Sequence, residues 1–161
     1  MIRYARAADH AAIRAVTSAA FGRPDEADLV ERLRADGDAV FELVCERDGA
    51  VCGHILFSRL WANRPDLYLA LAPVSVTPAL QRSGVGGDLV RAGLVTAREF
   101  GAHGVLVLGH PDYYPRFGFS VEAARTISSP FSGSPAFMAL ALEDGVFETP
   151  LTVGYPDAFD A

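Results

Sequence analysis

Val74-Ser75-Val76-Thr77-Pro78-Ala79-Leu80-Gln81-Arg82-Ser83-Gly84-Val85-Gly86-Gly87-Asp88-Leu89 is the stretch that decides how this chain is read. An apolar run, Leu67–Val76, stops at Thr77-Pro78. A glycine-rich turn follows and opens a helix predicted over Asp88–Phe100, with Leu89, Ala92, Leu94, Val95 and Phe100 as its apolar residues. The first amide hydrogens of a helix have no partner within it, and the helix dipole adds positive potential there. Such an end takes an anion. Glycines let the backbone approach a phosphate and adopt turns that a Cβ forbids. Arg82 adds a charge-assisted contact. A phosphate-bearing ligand is therefore expected, the plain alternative being a glycine-rich corner that only turns the chain.

Spacing narrows the ligand. A P-loop needs Gly-Lys-Ser/Thr after its glycines, and all fourteen basic residues of this chain are Arg. A dinucleotide fingerprint needs G-x-G-x-x-G, and Gly84-Val85-Gly86-Gly87 has another spacing.

Working outward, Ile2–Arg6 reads as a short strand. Asp9 is placed to cap a helix carrying Ala12, Ile13, Val16, Ala19 and Ala20 at helical spacing, broken by Gly22 and Pro24. A second amphipathic stretch runs from Glu26 to Leu33. Phe41–Glu46 and Val51–Leu60 are β-prone and flank Arg47-Asp48-Gly49-Ala50, a hairpin signal. Gly101 and Gly104 end the helix after the glycine turn. Val105–Leu108 has the fully apolar character of a buried strand, Pro111–Phe117 of a short helix, and Phe119–Ala124 and Ala136–Leu142 of closing strands. The order β α α β β β α β α β β suits one mixed sheet with helices on both faces, an α/β fold. One domain over 1–161 is expected, with its core in about 1–142 and a tail, 143–161, packed on it in irregular form.

The chain has 161 residues, 50% hydrophobic and 21% charged, which is ordinary for a globular domain. Its formal net charge of −6 argues against a nucleic-acid partner, which needs a basic footprint. No apolar run is long enough to span a bilayer, and the N-terminus lacks the apolar core of a signal peptide. Cys45 and Cys52 have no CxxC spacing and read as free buried thiols, with no metal site. A cytoplasmic protein without a membrane is the expectation, as monomer or homodimer.

Gln81-x-x-Gly84-x-Gly86, after a strand ending Val-Ser-Val-x-Pro, resembles the acyl-CoA pyrophosphate loop of the GNAT N-acetyltransferase superfamily. Tyr113-Tyr114-Pro115-Arg116-Phe117-Gly118-Phe119 resembles that family's Tyr-x-x-x-Gly-Phe segment, about thirty residues further on. The element order matches the fold over most of the chain. The resemblance implies a mostly antiparallel, twisted GNAT sheet splayed at its central strands. It implies acetyl-CoA as co-substrate, with no metal, and an amine acceptor, a small molecule or a protein amine, that attacks the thioester within a ternary complex. It implies that Gln81, Arg82, Ser83, Gly84, Val85, Gly86 and Gly87 hold the pyrophosphate. Val74, Ser75 and Val76 would bind the pantetheine arm and polarise the thioester carbonyl. Tyr114, four residues before Gly118, would be the general acid. A non-catalytic acyl-CoA-binding module on the same fold is the other reading.

Two departures stand out. Gly109-His110-Pro111-Asp112 shortens the segment before the tyrosines, and Leu67–Val76 carries no carboxylate to act as base. His54 and His110 are spare bases that read more simply as structural residues. Tyr113 competes with Tyr114 for the acid's place. Arg59 and Trp61 sit near a strand end as surface cover, and Glu26 and Asp28 lie on what reads as a solvated helix face.

Overall fold

The apolar runs fold as strands, and the period of their side chains assigns each residue to a face of the sheet. A computed structural model describes residues 1–160. The strands are β1 (Ile2–Tyr4), β2 (Ala39–Arg47), β3 (Ala50–Arg59), β4 (Trp61–Ala62), β5 (Tyr68–Val76), β6 (Gly104–Leu108), β7 (Ile127–Ser128), β8 (Phe137–Ala141) and β9 (Leu151–Gly154). The helices are α1 (His10–Phe21), α2 (Asp25–Ala35) and α3 (Val85–Glu99). The main sheet runs β1-β2-β3-β5-β6-β8, antiparallel throughout except for the parallel pair β5–β6. A small second sheet runs β4-β9-β7.

The hairpin between β2 and β3 turns at Asp48 and Gly49, with φ of 51° and 77°. Two positive φ values suit the primed turn that matches strand twist, so Asp-Gly fits. Alternation along β2 and β3 then sorts the core. Leu43, Cys45, Ile55 and Phe57 pack against Leu89, Val90 and Leu94 of α3. Val44 and Leu56 face the other way, against Ile13 of α1 and Val30 and Leu33 of α2. Further along that second face, Tyr68, Ala70, Leu106 and Phe137 are covered by Leu151 and Val153 of the small sheet.

Three local expectations are corrected. Asp9 does not cap α1 through its side chain. Its carboxylate instead accepts from Arg6 N and from both terminal nitrogens of Arg3, at 2.7–3.0 Å. A guanidinium fork offers two parallel donors and outcompetes a helix end. Phe119–Ala124 is not a strand: only Ser120 makes a bridge, to Ala139, and Ala123–Thr126 winds into a 3-10 turn. The tail is not wholly irregular, because Leu151–Gly154 pairs with both β4 and β7.

Gly93 shows how closely α3 lies on the sheet. A Cβ there would sit 2.5 and 2.7 Å from two ring carbons of the fully buried Phe57. Overpacking costs ~1–3 kcal/mol, against a helix-propensity gain of ~1 kcal/mol for Ala over Gly. Gly93→Ala is therefore expected to be destabilised by up to about 2 kcal/mol in urea unfolding, the reverse of the usual helix result.

Candidate active site

β5 and β6 pair only at Tyr68–Gly104, Leu69–Val105 and Ala70–Leu106. Beyond Ala70, β5 stays with β3 while β6 stays with β8. The register of β5 on β3 shifts here: Phe57 opposes Leu71 and Ile55 opposes Val74, so Ala72 and Pro73 bulge opposite Leu56. Proline has no amide hydrogen to offer a ladder, which suits the bulge. A cleft of about 1020 Å³ opens where the strands part.

The glycine turn forms one end of this cleft. Gln81 donates from its side-chain amide to Val76 O at 3.0 Å, tying the turn to the end of β5. Arg82 and Gly84 have φ of 63° and 96°, the left-handed region in which Gly84 suffers no Cβ penalty. The first bond of α3 runs from Asp88 N to Gly84 O at 3.0 Å. The amides of Gly84, Val85, Gly86 and Gly87 precede it and have no acceptor within the helix. α3 thus begins at Val85, one turn earlier than the sequence pattern suggests.

Val74, Val76, Gln81 and Arg82 line the cleft, as do Gly84, Gly86 and Gly87. Three other residues singled out in the sequence turn their side chains elsewhere. Ser75 is buried and donates to Thr17 Oγ1 at 3.2 Å. Ser83 donates to Leu80 O. Val85 is buried beneath α3. Ser75 and Val85, buried away from the cleft, can serve a ligand only through their backbones.

Both tyrosines line the cleft. The amides of Tyr113 and Tyr114 donate to His110 O, and the 3-10 turn Tyr114–Phe117 ends at Gly118 with φ 99°. Tyr114 lies against the backbone of Gly109, where a Cβ would come within 2.3 Å of its ring. Burial pushes its hydroxyl up to about 12, and neighbouring Tyr113 adds to this. The Tyr113 hydroxyl lies 3.4 Å from where a Gly86 Cβ would be, above the glycine turn. Burial raises it as well, opposed by Arg116 and Arg91. Arg116 stacks on Tyr113 at 4.5 Å and Arg91 on Phe117 at 5.2 Å. With Arg82, these put three guanidinium groups on the cleft.

Residues 10–119 match the family model described as the acetyltransferase (GNAT) family. The chain belongs to the GNAT acetyltransferase family. It is 34% identical over 147 residues to the uncharacterized N-acetyltransferase YhbS of Escherichia coli, covering 89% of this chain and 88% of that one. It is 43% identical over 117 residues to the uncharacterized N-acetyltransferase YjhQ of Escherichia coli, covering 69% of this chain and 64% of that relative's length. The structure of Escherichia coli YhbS in complex with CoA superposes with a TM-score of 0.92 at 32% identity, covering 100% of this chain and 92% of that one. A Brucella melitensis GNAT acetyltransferase in complex with acetyl-CoA gives a TM-score of 0.83 at 38% identity, covering 99% and 97%. The expected GNAT fold, splayed at its central strands, is the fold observed.

The other sequence candidates separate in this GNAT framework. His110 lines the cleft, whereas His54 is fully buried away from it. His54 Nε2 meets Glu42 Oε1 at 2.8 Å, and Arg34 donates twice to the same carboxylate. Burial works against the Glu42 charge, but the bonds from His54 and Arg34 outweigh it and hold the carboxyl at about 2. Arg59 stacks on Trp61 at 4.5 Å, outside the cleft. Asp28 lines a smaller hollow beside the cleft and pairs with Arg14 at 2.9 Å, while Glu26 lines both spaces. Arg91, Gly109 and Arg116 were not singled out from the sequence. Arg91 follows Gly87 by one helical turn, a spacing that could have flagged it. Among the described residues, no group of three or more His, Cys, Asp and Glu is placed to hold a metal, and no helix is long and apolar enough to cross a membrane.

Burial lowers the His54 imidazole below its ordinary value, and the Glu42 hydrogen bond only partly opposes this. In the unfolded chain it titrates at about 6.5. A base whose folded value is depressed contributes full stability above its unfolded value and loses it as pH falls below that point. Unfolding free energy is expected to fall between about pH 7 and pH 5, with a limiting slope of about 1.4 kcal/mol per pH unit from this group. Urea titrations of the parent and of His54→Gln check it, the variant showing the shallower slope.

Proposed function

We propose that this chain is an N-acetyltransferase that moves an acetyl group from acetyl-CoA to an amine by direct attack in a ternary complex. The observation that carries the reading is the convergence of three features on one cleft: the parted edge of β5, the free amides opening α3 and the side chain of Tyr114. The CoA and acetyl-CoA complexes of the two related structures support the choice of donor.

The residues divide the work by their chemistry. The amides from Gly84 to Gly87, with Arg82, hold the pyrophosphate, as a helix N-terminus binds an anion. Backbone groups of Val74–Val76 hydrogen-bond the pantetheine arm as an added strand would. One amide hydrogen there polarises the thioester carbonyl, and the charge that builds on its oxygen is stabilised where it forms. The amine nitrogen forms a bond to the carbonyl carbon. The C–S bond then breaks, CoA departs as thiolate, and the nitrogen's surplus proton passes to solvent water. Tyr114 donates a hydrogen bond to the departing sulfur. A single domain over residues 1–161 carries all of this.

Gly86→Asp places both a Cβ and a negative charge at the phosphate end. Acetyl-CoA is expected to raise the melting temperature of the parent and not of this variant, since only a ligand that binds the native state stabilises it. An unchanged dissociation constant for acetyl-CoA in folded Gly86→Asp would remove the pyrophosphate assignment.

The tyrosines are separable by kinetics. Tyr114→Phe should lower kcat by roughly 10²-fold, the low end for a hydrogen-bond donor aimed at developing charge, with acetyl-CoA affinity unchanged. Tyr113→Phe removes a hydroxyl above Gly86 and should act on the KM for acetyl-CoA, leaving kcat near the parent value. Steady-state kinetics with the same acceptor compare the two, and a reversed pattern would exchange their roles.

A further inference from the structure

The cleft passes through the sheet where β5 and β6 part, and its two ends differ in chemistry. On the α3 side lie the glycine turn and the three arginines. On the α1–α2 side the cleft meets Phe21 at the end of α1, Glu26 and Leu29 on α2, and Leu108 at the end of β6. Leu108 follows Leu106 by two residues, so it shares the sheet face that Leu106 presents to the second face of the core. Phe21 and Leu108 are large apolar side chains left 41% and 47% exposed, and both border this one opening. Glu26 is one of only two carboxylates among the described residues lining the cleft. The other, Asp88, sits at the α3 end beside Arg91.

Resting on the acetyltransferase reading, we propose that the acceptor is a hydrophobic primary amine on an aryl or alkyl body, whose ammonium form is first held by Glu26 with its body packed between Phe21, Leu29 and Leu108, and which attacks as the neutral amine after giving up its proton to solvent. Glu26 is a charge anchor and not the base. Arg23 donates to both of its oxygens, at 2.9 and 2.5 Å, and holds the carboxyl below its usual range, so Glu26 stays ionised and accepts a proton poorly. A carboxylate has about four acceptor positions, and the guanidinium takes two, leaving room for an ammonium. The apolar walls exclude sugar amines and amines flanked by carboxylates, whose polar groups would lose water without gaining partners. An acceptor anchored on the α1–α2 side meets the thioester across the parted strands, opposite the donor's phosphates.

The test is a panel of 2-phenylethylamine, glucosamine and glutamate with acetyl-CoA, followed by thiol release. Phenylethylamine is expected to show kcat/KM at least about tenfold above the other two, and Glu26→Gln to raise its KM at least about tenfold without altering the melting shift given by acetyl-CoA. Should Glu26→Gln fail to fold, the parent decides alone. A phenylethyl trimethylammonium cation, which cannot be acetylated, should compete with the amine at least about tenfold more tightly than neutral 2-phenylethanol. Preference for glucosamine or glutamate, no turnover of phenylethylamine by a chain that acetyl-CoA stabilises, or equal inhibition by cation and alcohol would overturn the acceptor assignment while leaving the donor reading standing. Absence of any acetyl-CoA melting shift in the parent would overturn the acetyltransferase reading and this inference with it.

Discussion

The parting of β5 from β6 is the constraint on which the rest of the site depends. Backbone N–H and C=O groups need partners, and a strand inside a sheet normally finds them on both edges. Past Ala70, β5 finds them on one edge only, because the bulge at Ala72–Pro73 holds it to β3 while β6 continues with β8. The other edge faces the cleft, where an extended chain can pair with it. The same divergence fixes the chemistry at its end. β5 runs out at Val76, Gln81 folds back to bond Val76 O, and α3 starts at Val85 with its free amides beside the strand edge. A strand edge free to pair with an extended chain and a helix end able to take an anion are thus consecutive in the chain.

Two layers hold that geometry open. α3 is clamped by Leu89, Val90 and Leu94 on one face, and Gly93 lets it approach Phe57. The opposite face is tied by charge as well as by apolar packing. Arg34 of α2 bonds Glu42 of β2, which also receives His54 of β3, so one carboxylate joins two strands to a helix. Desolvating such ions costs several kcal/mol, and the cost is offset only when every lone pair is well used. Glu42 takes three bonds at 2.8 Å, filling three of its roughly four acceptor positions. The arginine fork recurs at Arg3, which joins β1 to Asp9 and Glu46. A chain whose basic residues are all Arg can fix carboxylates bidentately where Lys offers a point charge.

The fold was legible where local chemistry and packing agree. Asp48-Gly49 turned where its φ values require, and the glycine turn led from strand to helix. It was illegible where a distant partner decides. Asp9 has the right identity for a cap, but Arg3 claims its carboxylate. Phe119 and Val121 look β-prone, yet β8 can accept only Ser120 in passing before Ala123–Thr126 winds up. β9 is too short to announce itself and exists because β4 and β7 flank it. In the candidate site, the glycines and Tyr114 carried sequence signals. Arg116 did not, because an arginine on an amphipathic surface looks the same whether it faces solvent or a cleft, and Arg91 offered only its spacing of one turn from Gly87.

The hydroxyl of Tyr114 limits what proton chemistry this cleft can supply. Held at about 12, it is a weaker acid than an ordinary thiol, which titrates at about 8.5. Full transfer of its proton to a departing thiolate would be uphill by roughly 3.5 pH units, or about 5 kcal/mol. In the proposed transfer Tyr114 would therefore serve best as a hydrogen-bond donor that stabilises developing charge on sulfur without surrendering its proton. That role matches the protein around it. β5 carries no carboxylate to collect a proton from the amine, and Glu26 is held ionised by Arg23. For the proposed transfer, a site so arranged would favour an amine that reaches the thioester already neutral, and a thiolate stable enough to leave before it is protonated. Under the proposed reaction, its contribution to rate would come chiefly from alignment of donor and acceptor across the parted strands and from the backbone dipole at the carbonyl, both fixed before substrate arrives.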